Sequence, residues 1–146
     1  MLKTLLATAA LGLLLGLPAR PALADGGENF VRLEQWGARN EVGLYQDGTR
    51  NRLSVTQEGY GNTTIATQDG ARNRTVVGQT GAHNEVIASQ AGRCNVLGVA
   101  QFGHGNSADV GQAGRCNAMA VIQTGRNGDV SARQSGRGNV AVIVQD

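Results

Sequence analysis

Large side chains are scarce in this 146-residue chain: aromatics make up 3% and charged residues 16%. A conventional globular core of Leu, Phe and Trp is therefore out of reach. Ordinary disorder does not follow, because it needs high net charge and few β-branched residues, and the formal net charge is only +2. Lysine occurs once, at Lys3, and proline only at Pro18 and Pro21. Beyond residue 24, 11 Arg stand against 11 Asp plus Glu, a neutral balance. Such a balance does not support a basic patch for nucleic acid. What the chain does have is 22 Gly and, as shown below, a strict repeat, through which a thin core can be built.

The N-terminal stretch reads as a secretory signal peptide over residues 1–24. Lys3 supplies the positive charge, Leu5–Leu17 the apolar run, and Ala22–Ala24 a small-residue cleavage site. The rival reading, a membrane anchor, needs about 20 apolar residues, and Pro18, Arg20 and Pro21 cut this run short. A short leader, residues 25–28, separates the signal from the repeat region, 29–146.

Gln recurs every 11 residues: Gln35, Gln46, Gln57, Gln68, Gln79, Gln90, Gln101, Gln112, Gln123, Gln134 and Gln145. Gly stands two places after the first ten, at Gly37, Gly48, Gly59, Gly70, Gly81, Gly92, Gly103, Gly114, Gly125 and Gly136. Asn precedes each Gln by six, at Asn29, Asn40, Asn51, Asn62, Asn73, Asn84, Asn95, Asn106, Asn117 and Asn139; Gly128 is the exception, with Asn127 one place early. Between Asn and Gln, the second and fourth positions are apolar in every repeat except for Thr64 and Thr75. Intervening positions hold most of the Arg, Glu, Asp, Ser and Thr. That alternation is the period of a strand with one buried face.

Eleven seven-residue strands joined by four-residue turns are thus predicted, with Gly free to take positive φ. An antiparallel meander would satisfy the pattern. Identity at fixed period favours instead an all-β, two-sided β-solenoid of 22-residue coils, in which 11-residue half-coils build two facing parallel sheets. Like residues then stack at about 4.8 Å, as in cross-β amyloid. Inward Asn and Gln would be costly singly, but in a stacked ladder each amide donates to one neighbour and accepts from the other.

This Gln-x-Gly-x-x-Asn motif, recurring once per half-coil behind a signal peptide, resembles the curlin repeat of bacterial curli. The resemblance implies a non-enzymatic extracellular subunit that polymerises into amyloid fibres serving adhesion, aggregation and the biofilm matrix. It also implies other curlin subunits and the curli secretion and assembly proteins as partners. Asn opens the strands almost throughout, which looks more like the minor, nucleator-type subunit than the major one. The short leader is a further departure from the major-subunit pattern.

Residues at the ends and on the surface add expectations. No capping element flanks the repeats, and the last strand (Asn139–Gln145) carries no charge, Pro or Gly. It has the profile of a cross-β template, with fraying as the alternative. Outward residues of the sheet that ends there turn apolar toward the C-terminus, including Ile122, Val140, Val142 and Val144. They form a candidate assembly surface, or are simply residues that suit strands. The other sheet is expected to stay polar outside, with Glu41, Thr63, Glu85, Ser107, Asp109, Asp129 and Arg133. Cys94 and Cys116 lie one coil apart, within reach of a disulfide or standing as two free thiols.

Catalytic constellations, metal ligand sets, cofactor motifs and small-molecule sites are not indicated. His83 and His104 read as solvated turn residues on opposite ends of the coil. The turn glycines lack the strand-to-helix context of a phosphate loop, and the acidic nonapeptides of calcium-binding β-helices are missing. Outward Thr is too sparse for an ice-binding face. A non-polymerising secreted β-solenoid adhesin is the alternative function.

Overall fold

The computed structural model of the chain describes residues 28–146 and a two-residue strand, β1 (Ala7–Thr8). The expected signal peptide over 1–24, β1 apart, and residues 25–27 of the expected leader lie outside the described residues.

Every strand of the repeat region pairs in parallel with the strand two along, not with its sequence neighbour. One sheet runs β3 (Glu41–Thr49), β5 (Thr63–Ala71), β7 (Glu85–Arg93), β9 (Ser107–Arg115), β11 (Asp129–Arg137). The other runs β2 (Phe30–Ala38), β4 (Arg52–Tyr60), β6 (Arg74–Ala82), β8 (Val96–His104), β10 (Ala118–Arg126), β12 (Val140–Gln145). The register is one full coil throughout, so Gln meets Gln and Gly meets Gly, as in Gln68↔Gln90 and Gly70↔Gly92. This is the two-sided β-solenoid, and the meander is ruled out. β1 alone lies antiparallel, against Gly43 and Leu44 of β3.

Alternation places the core where the period-two pattern predicts it. In β7, Val86, Ala88 and Gln90 are buried while Glu85, Ile87 and Ser89 face out. Leu53, Val55, Leu97, Val86 and Val110 are fully enclosed between the sheets. Each such side chain contributes about 1.5–3 kcal/mol by leaving water.

Strand length differs from expectation. β2 to β11 have nine residues rather than seven, because pairing continues through the glycine and one residue beyond, as in Gly81↔Gly103 and Ala82↔His104. Glycine makes this continuation feasible. Gly92 has φ +111°, and a Cβ there would collide with the carbonyl oxygen of Gly114 in the next coil. The true corner is therefore two residues. Its first member is left-handed, for example Arg72 (φ 58°), His83 (φ 55°) and Cys94 (φ 63°). A non-Gly residue costs about 1–2 kcal/mol in that conformation, offset where its N–H bonds the preceding coil, as Arg72 N–H does to Thr49 O at 2.9 Å. The hint in the sequence was Gly61, Gly105 and Gly138 at the same position of the 11-residue repeat.

Candidate functional site

Two kinds of amide ladder run the length of the coil, and both have a direction. Along each sheet, Gln Nε2 donates to the Oε1 of the Gln one coil further on. One file is Gln35→Gln57→Gln79→Gln101→Gln123→Gln145, with links of 2.7, 2.8, 2.9, 2.8 and 3.0 Å. The other is Gln46→Gln68→Gln90→Gln112→Gln134, with links of 2.6, 2.9, 2.9 and 2.8 Å. Every predicted Gln takes part. Thr64 and Thr75, the two exceptions to the apolar pattern, join the same network. Thr64 Oγ1 donates to Gln79 Oε1 and Thr75 Oγ1 to Gln90 Oε1, both at 2.8 Å.

The Asn ladder is wired through the backbone. Asn73 Oδ1 accepts the backbone N–H of Asn95 at 3.1 Å, and Asn73 Nδ2 donates to the carbonyl of Gly92 at 3.0 Å. The same two contacts recur from Asn29 to Asn117. At the one irregular position Gly128 still donates its N–H to Asn106 Oδ1 at 3.0 Å. Backbone wiring explains why the column tolerates a residue with no side chain.

Directional ladders leave unlike ends. At the first rung, Gln46 Oε1 is buried and has no partner among the described residues. At the far rungs, Gln134 and Gln145 accept from the preceding coil, and among the described residues their own amide N–H groups donate to no further rung. Asn139 Nδ2 reaches only its own turn, at Ser135 O. One end thus presents acceptors and the other donors. Gly125 and Gly136 lack the close glycine carbonyl oxygen that faces the same-position glycines before them; a Cβ at Gly125 would meet Asp146 C at 3.8 Å.

On the outside of the second sheet, Val140, Val142 and Val144 are 77%, 67% and 67% exposed, with Ile122 beside them on β10. The first sheet is less polar than expected, since Ile65 and Ile87 also face out, paired in register. Val and Ile suit strands on either face, so parity alone did not exclude them.

Cys94 and Cys116 share one turn column as free thiols, half-buried and exposed respectively. The hydrogen bond with Cys116, and then burial, push the Cys94 thiol above its ordinary pKa. The histidines depart from expectation. His83 follows β6 and His104 ends β8, both strands of the second sheet, so they share one edge rather than opposite ends. Their rings meet edge-on with centroids 5.3 Å apart, and Tyr60 extends the stack to His83 at 5.5 Å. Turns one full coil apart necessarily return to the same edge. Among the described residues, no cluster of three or more His, Cys, Asp and Glu could hold a metal ion.

Among known families, the curlin-associated repeat matches residues 26–59 and 61–92. No curated protein and no solved structure matches the chain. The matched segments carry the same register of Gln, Gly and Asn that continues through β12, so the chain carries curlin-associated repeats.

Proposed function

We propose that this chain is a secreted structural subunit of a curli-like extracellular amyloid fibre, growing end to end by strand templating. It is no enzyme in this reading. The fibre serves adhesion, cell aggregation and the biofilm matrix, and its partners are further copies, other curlin subunits and the secretion and assembly proteins of that system. The observation that carries the reading is the buried, unpartnered Gln46 Oε1 at one end, with amide donors left over at the other. An unsatisfied buried acceptor costs about 1–3 kcal/mol, which a second copy stacked in register would relieve. The exposed apolar strand β12 adds an open edge of the kind that recruits another strand. The nearly uniform Asn at the strand starts favours a nucleator-type role.

Incubating the purified chain with an amyloid dye, followed by fibre diffraction, tests this reading. Dye-positive fibres with a reflection at about 4.8 Å are expected. A lasting, dye-negative monomer would overturn it in favour of the passive adhesin. Seeding another curlin subunit with the fibres tests the nucleator role. Val142→Asp with Val144→Asp is expected to leave filaments unbundled in electron micrographs, because lateral packing through the apolar face is lost. Unchanged bundling would remove that surface from the assembly.

A further inference from the structure

The near-neutral charge of the repeat region conceals a segregation. Arg50 and Arg72 lie in the turns that follow β3 and β5, Arg93, Arg115 and Arg137 end β7, β9 and β11, and Arg52 and Arg74 open the adjoining strands β4 and β6. Arg52 stands directly beside Arg74, and Arg93, Arg115 and Arg137 follow one another on successive rungs. Arg50, Arg52, Arg72 and Arg74 line a groove along this edge, with Glu28 as its acidic residue.

Stacking like charges at strand spacing, about 4.8 Å, is destabilising. Internal partners do not offset it. Glu28 pairs with Arg50 at 2.7 Å, while Arg52, Arg72, Arg74, Arg93, Arg115 and Arg137 make no ion pair among the described residues. All six are exposed. Asp47 and Asp69 stand in register near the ends of β3 and β5 ahead of these corners, the Asp47 carboxylate engaged by the N–H of Gly48 at 2.9 Å and Asp69 in no ion pair among the described residues.

A second copy of the chain is a poor match for this edge. The acidic column on the opposite corner, Glu41, Glu85 and Asp129, is interrupted by Thr63 and Ser107. It therefore offers a carboxylate only on every other rung. Single-stranded nucleic acid is also a poor match, because such sites stack bases on a series of aromatic rings. Here the aromatic ring in register with the arginines is Phe30, paired with Arg52, and it does not line the groove.

We propose that the arginine edge binds an acidic polysaccharide laid along the coil axis. A chain of uronic acids carries one carboxylate on every sugar, and each guanidinium can grip a carboxylate with two parallel hydrogen bonds. The site is complete within one folded chain, so it stands whether or not the chain polymerises.

Fluorescence anisotropy of end-labelled polygalacturonate, titrated with freshly diluted full-length chain at several salt concentrations, tests this. Neutral dextran and single-stranded DNA serve as comparators. Polygalacturonate is expected to bind, weakening steeply as salt rises. Arg52→Gln with Arg74→Gln is expected to weaken binding about tenfold, with Arg93→Gln plus Arg115→Gln as a second pair. Arg126→Gln, on the other edge, leaves binding unchanged, and circular dichroism checks that each variant is folded. Absence of polygalacturonate binding at low salt, tighter binding of DNA, or full binding by both folded double variants would overturn the proposal.

Discussion

Gln79→Leu probes the ladder where it is best enclosed. Gln79 is 1% exposed. Its amide N–H donates to Gln101 Oε1 at 2.9 Å, and its Oε1 accepts from Gln57 Nε2 and Thr64 Oγ1, each at 2.8 Å. Leucine nearly preserves the volume and removes all three bonds, together with the one that Gln79 Nε2 donates to Thr63 O at 3.0 Å. Gln57 Nε2 keeps Glu41 O, Asn62 O and Thr64 Oγ1 as acceptors, so the groups left stranded are Gln101 Oε1 and the Thr64 hydroxyl proton. At about 1–3 kcal/mol each, they cost roughly 2–6 kcal/mol, of which the apolar gain returns about 1–2 kcal/mol. The informative variant is the double one. In Gln79→Leu with Gln101→Leu the stranded acceptor simply moves to Gln123 Oε1, and the number of unsatisfied groups does not grow. Guanidinium denaturation of freshly prepared monomer, followed by circular dichroism, should therefore give a double-variant loss close to that of Gln79→Leu. Losses that sum from the two single variants would refute the ladder as a coupled unit. Thr80→Leu, next door but exposed, is the control and should change stability by no more than about 0.5 kcal/mol.

Gly92→Ala, which combines φ +111° with a collision against Gly114 O, should abolish folded yield or fibre formation. Gly98→Ala, where a Cβ meets nothing within 4 Å and φ is ordinary, should be tolerated; equal yields would refute the close-approach argument. At the cysteines, a raised pKa means less thiolate at a given pH, so Cys94 should alkylate more slowly with iodoacetamide than a free cysteine near neutral pH. Under oxidising conditions the pair is expected to close a disulfide between coils, read as a loss of two protons by non-reducing mass spectrometry. Intact thiols there would exclude it.

What the sequence determined by itself is the stacking. Residues recurring at a fixed short period, with apolar side chains at fixed parity, have one economical solution: like over like, because a ladder satisfies the inward Asn and Gln that a meander would strand. The buried Gln files and the core of Leu53, Val55 and Leu97 were legible for that reason. Only the tertiary structure decided the direction of the amide hydrogen bonds, and hence the unlike ends, since a period carries no polarity. It alone showed pairing carried through Gly81 and Gly92 into nine-residue strands, because backbone register depends on φ as well as residue type. The two edges were also beyond the linear pattern. Turns half a coil apart lie on opposite edges and those a full coil apart on one, so His83 meets His104 and Arg50, Arg52, Arg72 and Arg74 gather into a single groove, while composition averages the two edges to neutrality.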